Sequence, residues 1–427
     1  MTTKKLLIEK AFSFYSEPCV KDFSLNELAA KVGISKPAIY RHFKNKDDVM
    51  VEMKKHFFDV IAEHLLSIRR YKEENGISKG TIANVYSEIP FANMVRFFAD
   101  NPKYINYLIF QFTRHQRFES VIFEELEKRG CLDEEEIQNF KKAECGQSDK
   151  NYADSFYCGI SILIFVKLRE KIISETGNGK DGKGIDSTDV FAKKISAFIK
   201  GGFAGACEEG DPLYPTAISA RRKSELERIC RISKEDFPEE NKIFTALASV
   251  IEKHDFNGVT IERIADELGM AKSSLYFYFD NKNEMILSLI EKELAMLTQL
   301  CVENAAESRN FSEFIYLTMR TEMEFFHAKP SLLQICGWLL QTSSEDHSHL
   351  DADMHTTWEK KIPKALERPD IGLPLSPNLF RDWIGVIPVA LFLVGTKKRM
   401  AKDYMLDYLE QIFGFIQFGI KNDKDKN

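Results

Sequence analysis

The chain lacks a hydrophobic run long enough to cross a membrane. Its longest uncharged apolar stretch, residues 383–395, has 13 residues, whereas a membrane-spanning helix needs about 20. The eight cysteines are scattered and form no CxxC pair, which argues against a paired-cysteine zinc or redox motif. No secretory leader is visible in the first residues. We therefore expect a cytoplasmic protein with reduced thiols and no membrane partner.

Signatures of common catalytic sites are missing as well. The sequence has no nucleophile elbow, no phosphate-binding P-loop and no dinucleotide-binding fingerprint, and its histidines have no motif context. We therefore expect that the protein is not an enzyme and that it binds no cofactor. An overall excess of basic residues is also lacking, because the net charge is −6. A nucleic-acid-binding function would therefore need a local basic face.

An internal repeat is the main positive signal. Residues 24–46 (SLNELAAKVGISKPAIYRHFKNK) align without a gap with residues 260–282 (TIERIADELGMAKSSLYFYFDNK), and seven of the 23 aligned pairs are identical. The hydrophobic content of 44% with 29% charged residues is typical of a globular protein. A chain of 427 residues with this repeat predicts two halves of about 210 residues each.

Each copy of the repeat begins with the pattern of a short amphipathic helix. In the first copy, Leu25, Leu28 and Val32 fall at helical spacing. Ser24 precedes them and Glu27 follows three residues later, which predicts a capping box at the start of the helix. The second copy repeats the apolar spacing, with Thr260 as the capping residue and Arg263 in place of the glutamate.

A sharp turn and two further helices are expected after this first helix. Gly33 and Gly269 lie where the chain must adopt a left-handed conformation, which costs glycine little. A second short helix then begins near residue 35, and Pro37 is tolerated in its first turn. Asn45 and Asn281, each with an acidic residue three positions later, predict caps for a long third helix.

Two short helices joined by a glycine turn form a helix-turn-helix, which places its second helix in the major groove of DNA. Both copies resemble the DNA-binding domain of TetR/AcrR family regulators. The resemblance covers about 50 residues at the start of each half, and the rest agrees only in helical pattern and length. It implies an all-helical ligand-binding body behind each DNA-binding domain and action as a dimer.

The resemblance also implies two sets of DNA-contacting residues. Those of the first copy are Ser24, Lys36, Pro37, Ala38, Tyr40, His42 and Lys46, and those of the second are Thr260, Lys272, Ser273, Ser274, Tyr276, Tyr278 and Lys282. The three residues that open each second helix are expected at base edges, since a lysine can reach guanine O6 or N7. The others are expected at phosphates. Alternatively, the aromatic residues simply pack the helices together.

The two copies differ in charge. Residues 1–55, the first head, contain 11 Lys/Arg and 7 Asp/Glu, whereas residues 237–291, the second head, contain 5 and 10. Arg41 is replaced by Phe277 and Lys44 by Asp280. Because phosphate neutralisation supplies much of the affinity for DNA, we expect the second head to bind DNA more weakly than the first, or not at all.

Long helical patterns without strand signals follow each head, which predicts an all-α fold of two tandem TetR-like units. The expected domains are the two heads, helical bodies at 56–207 and 292–421, and a linker at 208–236. Apolar helices within 152–203 and 379–420 are expected to pair the two halves inside one chain, as a monomeric pseudo-dimer. In the alternative arrangement, each half pairs with its equivalent in another chain.

Aromatic residues crowd both bodies, which favours an apolar pocket for a small-molecule effector. The candidate ligand-binding residues are Phe98, Tyr107, Phe110, Phe326, Trp338 and Trp358, although aromatics at helical spacing are more often plain core.

A short polar segment also has the spacing of metal ligands. His347, Asp351 and His355 would share one helix face, but they offer no fourth ligand and span about 12 Å on a helix. We assign no metal site.

The sequence as a whole predicts a ligand-responsive TetR-like transcription regulator that acts as a repressor of an asymmetric operator with two unlike half-sites. In this mechanism an effector changes the separation of the heads, so that they no longer fit the grooves together. The alternative is a small-molecule binding or interaction protein in which the second head, or both, no longer reads DNA.

Overall fold

In the computed structural model of the chain, the described residues are 2–16, 23–74, 89–114, 118–134, 136–138, 141, 161–162, 164–170, 173, 187–233, 237, 241–254, 258–330, 332, 335, 383–385 and 402–420. All regular structure in these residues is helical, which confirms the predicted all-α fold. None of the helices searched in this part of the chain is long and apolar enough to span a membrane.

The chain divides into two compact units. The first comprises mainly residues 1–200 and the second mainly residues 201–419. The helices of the first unit are α1 (Thr3–Phe12), α2 (Leu25–Val32), α3 (Lys36–Ile39), α4 (Lys46–Glu74), α5 (Ile89–Asp100), α6 (Pro102–Arg114), α7 (Phe118–Lys128) and the greater part of α8 (Thr188–Ala206). A short 3₁₀ helix, Ser13–Ser16, follows α1.

The second unit contains the remaining helices. They are α9 (Ala220–Ile229), α10 (Lys242–His254), α11 (Ile261–Leu268), α12 (Lys272–Tyr276), α13 (Lys282–Ala305), α14 (Phe311–Ala328) and α15 (Lys402–Phe418). Residues 152–160 and 386–401, which belong to the segments expected to pair the two halves, lie outside the described residues.

The predicted caps of the helix-turn-helix are present. The Ser24 hydroxyl accepts a hydrogen bond from the Glu27 amide at 3.2 Å, and the Ser24 amide donates to the Glu27 carboxylate at 2.7 Å. Thr260 accepts from the Arg263 amide at 3.2 Å. In place of the missing carboxylate contact, the Arg263 guanidinium donates to the carbonyl oxygen of Gly258. Both first helices therefore start at the predicted residue.

The third helix of each head is capped in the same way. Asn45 and Asn281 each accept a hydrogen bond from the amide three residues later, at 2.9 Å. The acidic side chain at that later position accepts from the amide just before the cap, at 2.8 Å in both heads. The long helices α4 and α13 therefore have the same cap at equivalent positions, and the backbones of the two heads follow the same course there.

In the first unit, the head and the body share one hydrophobic core. Leu28, Ile39 and Met53 of the head are fully buried or nearly so, and the same cluster includes Tyr104 and Tyr107 of α6. Because burying an aromatic side chain is among the larger favourable contributions to folding, α6 is firmly held against the first head.

A polar network joins α1, α4 and α6 beside this core. The Glu9 carboxylate accepts a hydrogen bond from His56 Nε2 at 2.7 Å, contacts the Lys103 ammonium, and accepts from the Tyr104 hydroxyl at 3.2 Å. The hydrogen bond from His56, with the hydrogen bond and charge of Lys103, lowers the pKa of Glu9 to about 2. Burial, together with the Glu9 charge, raises the pKa of Tyr104.

In the second unit, α14 is the central helix. Every residue from Phe311 to Phe326 is buried, and α13 and α15 pack against it. Residues 208–236, expected as a linker, include α9, which also packs on α14 through the fully buried Leu226 and Cys230. The Arg222 guanidinium makes two hydrogen bonds to the Glu313 carboxylate, at 3.1 and 2.9 Å.

Within the second unit, the last residues of α8, which include Gly202, contact α15 so closely that a glycine is required. Gly202 has φ 55° and ψ −150°, a conformation that is essentially restricted to glycine. A Cβ atom there would lie 2.6 Å from the carbonyl carbon of Gln417 and 2.6 Å from the carbonyl oxygen of Ile416. The backbones of the two helices therefore approach too closely for any side chain.

We expect Gly202→Ala to destabilise the second unit by about 2 kcal/mol or more, because the left-handed strain adds to a backbone clash. Gly205→Ala is the matched control, since a Cβ atom at Gly205 meets nothing within 4 Å and alanine favours a helix. Thermal unfolding monitored by circular dichroism measures both. An equal effect of the two substitutions would contradict the close approach.

The Glu9 network predicts a pH-dependent contribution to stability. The folded-state pKa of about 2 lies below the ordinary value of 4.5, so this stabilisation is complete above pH 4.5 and is lost as the pH falls toward 2. We expect Glu9→Gln to lower the free energy of unfolding by about 1–3 kcal/mol at pH 7, with a smaller difference at pH 3. Urea unfolding at both pH values measures the change.

Glu52→Gln is the control for Glu9→Gln. It removes an exposed ion pair to Lys4, 2.8 Å long, which should contribute about 0.5 kcal/mol or less. A Glu9 effect that is independent of pH between 3 and 7 would show that the charge of this carboxylate does not stabilise the fold.

Candidate nucleic-acid interface

The second helix of the first head presents one face to solvent and buries the other. Ile39 is fully buried and Phe43 is 2% exposed, so these two side chains fix the helix on the head. Lys36 and Pro37 are exposed, Ala38 is half-buried, and Tyr40 is 49% exposed. The predicted base-contacting residues therefore lie on or beside the free face of α3. Tyr40 follows directly after the end of this helix.

The second head repeats this arrangement position by position. Leu275 is buried in place of Ile39, while Lys272 and Ser273 are exposed and Ser274 is half-buried. Tyr276 is 46% exposed. Partial exposure of the tyrosine in both heads argues against a purely internal packing role for its ring.

The remaining predicted phosphate-contacting residues lie at helix starts or in the following turn. Ser24 and Thr260 are the N-terminal caps of α2 and α11. Lys46 and Lys282 are the first residues of α4 and α13, where amides without an intrahelical partner favour an anion. His42 is half-buried.

The candidate DNA-binding faces of the two heads differ in charge by more than the aligned sequences indicated. The Lys272 ammonium contacts the Glu262 carboxylate and lies 5.4 Å from the centre of the Tyr276 ring. The first head has Asn26 at the position of Glu262. Lys36 forms no ion pair with any residue that the structure describes.

The second head also carries exposed aromatic residues where the first is basic. Phe277, which replaces Arg41, is 83% exposed, and Tyr278, which replaces His42, is 67% exposed. Their rings meet edge to face at 5.3 Å. The candidate DNA face of the second head is thus aromatic and acidic, and that of the first is basic.

Of the four candidate effector residues that the structure describes, three lie in packed core. Tyr107 and Phe110 are buried, with their rings 5.2 and 4.8 Å from that of Tyr15. Phe326 is 1% exposed and Phe98 is half-buried. Two of the predicted aromatics, Trp338 and Trp358, lie outside the described residues.

His347, Asp351 and His355 also lie outside the described residues. Within the part of the chain that the structure describes, no group of three His, Cys, Asp or Glu side chains is placed to hold a metal ion.

Sequence reasoning missed a surface groove in the first unit. It has a volume of about 610 Å³ and lies between α4 and the end of α7. Arg69, Arg70 and Arg129 line it together with Asp59 and Glu63. Ala62 and Leu66 also line it, and none of the predicted effector aromatics does.

The two heads match a known protein family. The profile of bacterial regulatory proteins of the tetR family matches residues 7–53 and, independently, residues 243–289. Each match starts inside the helix that precedes the helix-turn-helix, α1 or α10, and ends inside the long helix that follows it, α4 or α13. Both helix-turn-helix segments therefore fall inside the matched regions.

Similar proteins include named regulators. An HTH-type transcriptional repressor of Streptomyces coelicolor is 24% identical over 166 residues, which cover 36% of this chain and 82% of the repressor. A fatty acid metabolism regulator protein of Bacillus subtilis is 24% identical over 86 residues, covering 20% of this chain and 44% of the regulator.

A solved structure also aligns with the chain. It is a TetR family transcription regulator from Marinobacter aquaeolei VT8, with a TM-score of 0.29 and 11% identity, and the alignment covers 47% of this chain and all of that one.

Both matched segments have the same left-handed glycine turn and the same asparagine cap on the long helix. The chain therefore carries two segments that match the model of the tetR family of bacterial regulatory proteins, and it resembles a tandem TetR-like protein.

Proposed function

We propose that the protein is a ligand-responsive repressor that binds an asymmetric operator, with one head on each of two unlike half-sites. The observation that carries this proposal is that the two heads have equivalent helices but different exposed residues on them. Pro37 and Ala38 of the first head correspond to Ser273 and Ser274 of the second. Because such side chains contact base edges, the two preferred base sequences should differ.

Within each head, we assign base contacts to the free face of the second helix and phosphate contacts to the residues around it. Lys36, Pro37 and Ala38 form the base-contacting set of the first head, with Ser24, Tyr40, His42 and Lys46 at phosphates. In the second head, Lys272, Ser273 and Ser274 correspond to the first set, and Thr260, Tyr276, Tyr278 and Lys282 to the second. None of these side chains is buried, and several lie at helix starts, which supports this division.

Repression is supported by the Streptomyces coelicolor relative, which is named a repressor. In this proposal an effector binds in one of the helical bodies, residues 56–207 or 292–421, and shifts the spacing between the heads. The shared core of α6 and the first head provides a physical path for such a shift. DNA release follows when one effector-bound state no longer fits both grooves.

The two heads would act as the two halves of a dimer within one chain. Two heads in a single chain supply the pair of helix-turn-helix domains that recognition of two half-sites requires. This arrangement predicts half-sites about 34 Å apart, one turn of DNA, or a multiple of that distance.

An interaction protein with a degenerate second head is the alternative function. The contact between Lys272 and Glu262 and the acidic charge of that head favour it, because both weaken attraction to phosphates. The two functions predict different outcomes when bound sequences are selected from a random pool of duplexes.

We expect the full-length chain to select two unlike half-sites, and the variant Lys272→Ala/Tyr276→Ala to retain only one of them. Sequencing of the bound duplexes measures both motifs. Sedimentation of the complex should show one chain of 49.2 kDa per duplex. An identical motif for both proteins would support the degenerate-head alternative, and two chains per duplex would contradict the pseudo-dimer.

We expect Lys36→Ala and Lys46→Ala to weaken DNA binding in different ways. Loss of a base contact at Lys36 should cost about 1–3 kcal/mol and relax the preference at one base pair. Loss of a phosphate contact at Lys46 should weaken binding to all duplexes equally. It should also reduce the slope of log affinity against log salt concentration by about 0.9. Titrations of both variants with operator and scrambled duplexes at several salt concentrations separate these outcomes.

A further inference from the structure

The second head pairs its proposed base-contacting lysine with an acidic residue. Glu262 is the second residue of α11, and Lys272 is the first residue of α12. Their charged groups are in direct contact, with side chains 54% and 44% exposed. The pair therefore lies at the surface, where the lysine ammonium can either stay with Glu262 or bind another anion.

The first head lacks this pair although its backbone is equivalent. Asn26 is the second residue of α2 and Lys36 is the first residue of α3, so the two positions have the same helical register as Glu262 and Lys272. Asn26 carries no charge. The exchange between Asn26 and Glu262 is thus a single difference that changes the availability of one lysine.

The carboxylate has two effects on DNA binding. It competes with guanine and phosphate oxygens for the Lys272 ammonium, and it adds a negative charge close to the proposed DNA face. An exposed ion pair is weak by itself, so the lysine can be released. The remaining carboxylate still repels phosphates, and this repulsion is screened at high salt.

We propose that Glu262 sets the affinity with which the second head binds its half-site. It acts by holding the Lys272 ammonium and by repelling phosphate. This inference rests on the proposed DNA-binding function of the second head. Its consequence is a ranking of the two heads, in which the first head contributes most of the affinity and the second adds selectivity.

The first test measures the affinity of the full-length chain for its selected two-half-site duplex. We expect Glu262→Gln to tighten binding about 3- to 10-fold at low salt and to steepen the salt dependence, because one more cation becomes available. Glu252→Gln removes the same charge from an exposed position of α10 and should change affinity less than about 2-fold. Equal effects of the two substitutions would overturn the proposal.

The reciprocal change is made in the first head. Asn26→Glu should capture Lys36 and weaken binding about 3- to 10-fold, whereas Asn26→Gln should leave the affinity unchanged. A similar loss with glutamate and glutamine would indicate a general structural role for residue 26, and would count against the proposal.

A double-mutant cycle tests whether Glu262 acts through Lys272. In a Lys272→Gln background, Glu262→Gln should have no larger effect than Glu252→Gln. An undiminished effect would overturn the proposed contact with Lys272.

Failure of the inference can be distinguished from failure of the proposed function. If Lys272→Gln and Tyr276→Ala leave binding to the two-half-site duplex unchanged, the second head does not bind DNA, and both proposals fail. If those two substitutions weaken binding while Glu262→Gln matches its control, DNA binding by the second head stands and only the role of Glu262 fails. Circular dichroism spectra confirm that each variant is folded.

Discussion

The left-handed glycine turn is the constraint on which both heads depend. Gly33 and Gly269 have φ values of 75° and 66°, so the chain reverses within one residue and places a second helix across the first. That second helix has four residues in the first head and five in the second, far too few to be stable alone. The turn and buried side chains, Ile39 and Phe43 in the first head and Leu275 in the second, hold this helix in place and leave its other face free.

Local features of the fold were predictable from the sequence, and tertiary ones were not. Ser24, Asn45 and the two turn glycines interact with residues three or four positions away, so spacing alone indicates their role. The contact between Glu262 and Lys272 spans ten residues and two helices, and it depends on the angle that the turn sets. Its only sequence signal was the exchange of asparagine for glutamate between the two copies.

Tertiary contacts in the helical bodies behind the heads were likewise not predictable from the sequence. Aromatic spacing could not separate an effector pocket from packed core, and Tyr107 and Phe110 lie in core that the first head shares with α6. Burial of α9 on α14 was also not foreseen, because six Lys/Arg in residues 220–234 obscure an apolar stripe that includes Leu226. Long charged side chains on one face of a helix are compatible with full burial of the other.

The two units attach their heads differently. The position in the second unit that corresponds to Glu9 is Thr245, and that of His56 is Lys292, both exposed. The second head therefore has no equivalent of the polar network at those positions.

The exchange between Asn26 and Glu262 also has an evolutionary consequence. In a homodimer one gene encodes both heads, so any substitution alters both half-site preferences at once. Here different segments of one chain form the two heads, so that one head can change while the other stays the same. An operator without symmetry also has a direction, so a bound chain would distinguish upstream from downstream on the DNA.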